Sequence, residues 1–214
     1  MRKYPNTAGS DVRIGYGIDL AEGANSFEKT QDLVPEINEK NEQLETAAAE
    51  TNKLMYPLAR ARAVVRVESF HSDKILQRMG AAAQVADGGR RGPVFNYVFE
   101  DGVSVAVEPH GMQQLPMLQK VTGKLQATNR PDLKTFADQW LPELNARITT
   151  FSKAVDALKT LLEQHDALFA TEKARRDEHA LMIDKMAGIV RSRFPNDRAQ
   201  QDAVFPAPRS PGKR

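Results

Sequence analysis

The chain has 214 residues, no cysteine, 41% hydrophobic but only 7% aromatic content, and 30 basic against 28 acidic side chains. Disulfides and thiolate metal sites are therefore excluded, and a formal net charge of +2 supplies no field that would gather a nucleic acid. There is no run of about 18 apolar residues, so no transmembrane segment is expected. The first residues, MRKYPNTAGSDV, lack the apolar centre of a signal peptide. That predicts a cytoplasmic protein, or one exported without a cleavable signal peptide.

Residues 1–25 read as an N-terminal arm. Over residues 11–20, Val12, Ile14, Tyr16, Ile18 and Leu20 alternate with Asp11, Arg13, Gly15, Gly17 and Asp19, which predicts a half-buried strand. Gly15 and Gly17 lack the third glycine and the following helix start of a dinucleotide fingerprint. They read as places where another backbone comes close.

Residues 26–87 predict a first long helix. Ile37, Leu44, Thr51, Leu58, Val65, Ser72 and Met79 recur every seven residues, a coiled-coil pattern. Pro57 predicts a kink, and Gly88 and Gly89 mark the end. Glu68 and His71 have the Glu-x-x-His spacing of a di-iron bundle. No second such pair exists, so no metal or cofactor is expected. Arg60, Arg62 and Arg66 read as a solvated face.

Residues 88–130 predict a β-hairpin with a short helix. Asp101-Gly102 between apolar runs is a strong hairpin signal. Pairing across it puts Phe95, Tyr97 and Phe99 on one face and Val103 and Val105 on the other. Both faces are apolar and need cover.

Residues 131–195 predict the second long helix, with Pro131 at its first position and Pro142 inside. Leu141, Ile148, Val155, Leu162, Phe169, Arg176, Ile183 and Val190 form one series. Ala137, Leu144, Phe151, Leu158, His165, Glu172, His179 and Met186 form its companion. At about 1.5 Å per residue the helix is about 90 Å long. Antiparallel pairing of the two helices makes facing residue numbers sum to about 218 under uniform rise, which sets Lys40 and Asn41 near residues 176–179. His165, Glu172, Arg176 and His179 interrupt the apolar seam. They read as a register-fixing polar layer, or as a pH-sensitive one. Residues 196–214, proline-rich and basic, predict a flexible tail.

The expected fold is mainly α: an elongated, antiparallel, Pro-kinked coiled coil with an inserted β-hairpin module and an N-terminal strand. No catalytic constellation is legible, and no small-molecule substrate is implied. The expected function is a non-enzymatic structural or assembly subunit. It would contact a protein partner or copies of itself through Phe95, Tyr97, Phe99, Val103, Val105, Ile14, Tyr16 and Ile18, by strand addition. The order helix, hairpin, helix is similar in outline to that of helical pore-forming toxins and secretion-needle tip proteins with a β-tongue. That outline implies the alternative function.

Overall fold

The computed structural model describes residues 3–205 and is mainly α; no strand occurs among those residues. Its helices are α1 (Ser10–Asn25), α2 (Val34–Lys53), α3 (Met55–Ala86), α4 (Pro93–Val98), α5 (Val103–Ala106), α6 (Gln114–Gln126), α7 (Pro131–Arg193) and α8 (Arg198–Val204). Short 3-10 turns occupy Glu28–Leu33 and Gly111–Gln113.

The predicted N-terminal strand is a helix. Residues 11–20 lie in α1, and its inner face is Arg13, Tyr16, Gly17, Leu20, Ala21 and Ala24. These positions have helical spacing, but glycine, alanine and arginine carry most of it. The alternation of Val12, Ile14, Ile18 and Leu20 therefore dominated the pattern. Packing overrides the low helix propensity of Gly15 and Gly17.

The predicted β-hairpin is a pair of short helices. Val94, Phe95, Val98 and Phe99 are all buried, at the i, i+1, i+4, i+5 spacing of one helical face. Pro93 takes a first-turn position of α4, where its missing N–H costs nothing. The Asp87 carboxylate accepts from the backbone N–H groups of Gly92 (3.0 Å), Val94 (3.0 Å) and Phe95 (2.8 Å), which satisfies donors the helix leaves open. Asp101-Gly102 does turn, with Gly102 at φ +89°, but it links α4 to α5 instead of two strands.

The first long helix is two. Pro57 has no N–H to give the carbonyl of Lys53, and the helical run breaks at Leu54 between α2 and α3. At the far end of α3, Gly89 N–H donates to Gln84 O at 2.8 Å, with Gly88 and Gly89 both at positive φ. That is the glycine-terminated helix end in which a left-handed residue recovers a free carbonyl. α7 runs for 63 residues with Pro142 inside it.

The chain divides into two compact units, residues 1–55 with 163–214, and residues 56–162. In the first unit, α2 and the C-terminal part of α7 run antiparallel. Lys40 pairs with Glu178 at 3.0 Å and Lys185 with Glu36 at 2.7 Å. The apolar core includes Leu20, Leu33, Ile37, Ile183, Met186 and Val190. Residues 198–204 belong to α8, inside the expected tail. Val204 and Phe205 are buried in this core, and residues 206–214 of that tail lie outside the described residues. A Cβ on Gly23 would stand 2.3 Å from Val204 O, so glycine there is what lets the end of α8 approach α1.

In the second unit, α3 and the N-terminal part of α7 are antiparallel. Arg147 donates to Glu68 at 2.6 Å, and Arg78 pairs with Glu143. α4, α5 and α6 complete a core around Leu76, Met79, Phe95, Leu118, Leu133 and Leu144. Val103 of α5 seats against Gly80, whose Cβ would lie 2.3 Å from it.

Candidate functional site

The charged and hydrogen-bonding groups with the most unusual environment lie in the first unit, where α1, α2 and α7 meet. α7 supplies Glu172, Arg176 and His179 on one face, spaced by four and three residues. α2 supplies Asn41. The N-terminal segment supplies Tyr4, and α1 supplies Ser10 and Arg13.

His179 is fully buried. Tyr4 O–H donates to its Nδ1 at 2.7 Å, which leaves the proton on Nε2, 2.9 Å from Asn41 Oδ1. Both ring nitrogens are thus engaged in the neutral form. Burial, then the positive charges of Arg13 and Lys3, push its pKa down to about 4. Burial raises the Tyr4 and Tyr16 phenols to about 12. Asn41 comes this close only because α1 has Gly17 opposite, where a Cβ would lie 1.9 Å from Asn41 Oδ1. Asn41 Nδ2 is buried without a hydrogen-bond partner among the described residues.

One turn away, Glu172 is 5% exposed. Its Oε1 accepts from Ser10 Oγ and from Arg176 Nη2, each at 2.6 Å, and Arg176 Nε donates to Ser10 Oγ at 2.8 Å. Burial opposes its charge, but the donors Ser10, Arg176 and Thr51 outweigh it and hold the pKa below the ordinary glutamate value. Arg13 is 5% exposed and is spent on backbone carbonyls: Ala8 O at 2.9 Å, Asn6 O at 2.8 Å and Arg176 O at 2.7 Å. Its guanidinium also sits over the Tyr4 ring, 4.9 Å from the centroid. The arrangement fastens the N-terminal segment and α1 to α7.

Of the polar positions read from the sequence, Glu172, Arg176 and His179 come together and His165 does not. His165 is half-buried, 3.5 Å from Asp166, and stacks on Phe169 at 7°. Sequence reasoning missed Tyr4, Ser10 and Arg13. It placed Asn41 near residues 176–179 but gave it no role.

The expected partner-binding residues divide differently. Phe95 and Phe99 are core residues, and Tyr16 is 6% exposed. Tyr97 is half-buried with its O–H donated to Lys124 O at 3.0 Å. Val103 packs against the core, while Val105 is exposed. Ile14 is half-buried and Ile18 is 53% exposed. A strand-adding surface is therefore absent among the described residues.

Glu68 is occupied by Arg147 and His71 is exposed, so the Glu-x-x-His pair holds nothing in common. No cluster of three or more His, Cys, Asp or Glu side chains suited to a metal occurs among the described residues. None of the described helices is long and apolar enough to cross a membrane.

Two outer helix faces are apolar. On α1, Val12 and Ile18 are exposed. On α3, Tyr56 (71% exposed), Val64, Val67 and Phe70 (54%) form a ridge opposite the buried face of Leu58, Val65 and Ser72. Arg60 is exposed on the same ridge and Arg66 beside it, while Arg62 is exposed at the margin of the buried face. The chain matches no family model, no curated protein and no solved structure.

Proposed function

We propose that this chain is a non-enzymatic structural or assembly subunit, a helical protein that works by associating with copies of itself through exposed helix faces. The observation that carries the reading is the ridge on α3. Tyr56, Val64, Val67 and Phe70 are solvent-facing on a helix whose opposite side already fills a core. Scattered exposed apolar residues are ordinary. Val64, Val67 and Phe70 are grouped at helical spacing, with Tyr56 beyond Arg60, and such a grouping is the mark of an interaction surface. The interlocked polar groups around His179 and Glu172 support the same reading, because each is committed to holding the fold.

Sedimentation velocity from about 1 to about 300 µM tests it, a range that brackets the affinities of small interfaces. The expected result is a concentration-dependent rise in mass that Val67→Glu with Phe70→Glu abolishes. A wild-type protein that stays monomeric across the range overturns the reading.

A further inference from the structure

The ridge on α3 has a counterpart elsewhere in the same chain. At coiled-coil spacing its midline runs Arg60, Ala63, Val67, Phe70, Lys74, with Tyr56 one step before and Val64 alongside. Arg62 and Arg66 add further exposed positive charge. Lys74 Nζ lies 5.4 Å from the centre of the Phe70 ring. The ridge is an apolar centre closed at each end by a cation.

The outer midline of α1 runs Asp11, Gly15, Ile18, Glu22 at the same alternation of four and three residues, with Val12, Ile14 and the acidic Asp19 alongside. This ridge has an apolar centre closed at each end by an anion. Its one arginine, Arg13, is turned inward and committed to backbone carbonyls.

We infer that the α1 ridge of one molecule docks antiparallel on the α3 ridge of another. Glu22 then faces Arg60, Ile18 faces Ala63 and Val64, Gly15 faces Val67 and Phe70, and Asp11 faces Lys74. The dimensions agree. The end charges are 14 residues apart on α3 and 11 on α1, or about 21 Å and about 16 Å along the axes. The mismatch, shared between two ends, is about 2 Å each, within the span of an arginine or lysine stem. Gly15 provides the notch: nothing stands within 4 Å of the Cβ position there, so it offers a shallow site for an aromatic ring.

Charge selects this pairing over the alternatives. Two α3 ridges brought together would oppose cation to cation, and two α1 ridges anion to anion, which destabilises helix pairs. An unrelated apolar helix would leave Arg60 and Lys74 covered and unpaired. The contact is heterologous, so each molecule carries one surface of each kind, and association can close into a ring or continue.

The inference rests on the assembly reading, and charge-swap variants separate the two. Arg60→Glu with Lys74→Glu, and Asp11→Lys with Glu22→Lys, alter only exposed positions. Circular dichroism melts confirm that each variant folds. Each alone should self-associate at least about ten-fold more weakly than wild type, the scale of losing paired charges at a small interface. Mixing the two should restore association, and so should all four substitutions in one chain. If wild type associates and the variants do so equally, this contact is wrong and the assembly reading stands. A monomeric wild type overturns both. If wild type is monomeric but binds vesicles containing phosphatidylserine, and the α3 variant does not, the basic ridge reads lipid and the self-contact is overturned.

Discussion

Tyr4 and His179 are joined by a 2.7 Å hydrogen bond across 175 residues of chain, and both are buried. The phenol donates, so the bond exists only while Nδ1 of the imidazole is unprotonated. Burial, with the positive charges of Arg13 and Lys3, depresses the His179 pKa from its ordinary 6.5 to about 4. Between those values the unfolded chain binds the proton and the folded one does not. Stability is full above about pH 6.5 and falls with pH until about pH 4, by about 3 kcal/mol. Urea denaturation of wild type and His179→Gln between pH 5 and 7 checks this, a window above the carboxylate range. The wild type should lose stability as pH falls and the variant should not. Parallel profiles would refute the assignment.

Gly15 and Gly17 sit two residues apart on α1 and should respond oppositely to alanine. At Gly17 the new Cβ meets Asn41 Oδ1 at 1.9 Å, and forcing that side chain off His179 should cost about 1–3 kcal/mol. At Gly15 the Cβ meets nothing within 4 Å, so helix propensity alone should stabilise the monomer by up to about 1 kcal/mol. Thermal melts of the two variants at low concentration decide it.

Asp87 accepts three backbone N–H groups at the entry to α4. Burial works against its charge, but those three donors hold its pKa below the usual aspartate value. Asp87→Ala should cost about 1–2 kcal/mol at neutral pH, in the range of lost helix caps. Because the folded pKa is depressed, this stability is present above the unfolded value of about 4 and lost as pH falls below it. The gap between wild type and variant should therefore close in acid, measurable by denaturant midpoints at pH 7 and pH 3.

Phe151 is fully buried in α7, and truncating it should leave a cavity. Phe151→Ala is expected to cost about 3–5 kcal/mol, while Phe151→Leu should lose much less because most of the volume is kept. Equal losses would mean the site collapses around either side chain.

The long-period signal was the legible part of the fold. Every member of the first series, from Ile37 through Leu44, Thr51, Leu58, Val65 and Ser72 to Met79, is buried. Asn41 meets His179 and Lys40 meets Glu178, as uniform helical rise places them. Such a pattern survives in sequence because many residues repeat one requirement. The short elements were not legible. α1 builds its inner face from Arg13, Gly17, Ala21 and Ala24, which carry little apolar signal. α4 and α5 are short and apolar at most positions, so period two and period 3.6 fit them about equally well. In the polar cluster, Glu172 and His179 stood out by breaking a heptad. Tyr4 could not, since it precedes α1 in a segment with no periodicity, and Ser10 is the first residue of a helix whose inner face carries little apolar signal.

Of the two units, only residues 56–162 form a continuous stretch; the other combines residues 1–55 with 163–214. During synthesis α1 and α2 emerge before their α7 partners and wait. Their partners on α7, from Glu172 to Val190, leave the ribosome more than a hundred residues later, which at about 5–20 residues per second is a delay of about 5–25 s. In that interval the inner faces of Leu20, Ile37 and Leu44 are uncovered while the continuous unit can already close. The order of translation therefore leaves α1 and α2 open to chaperones and proteases until the end of α7 arrives.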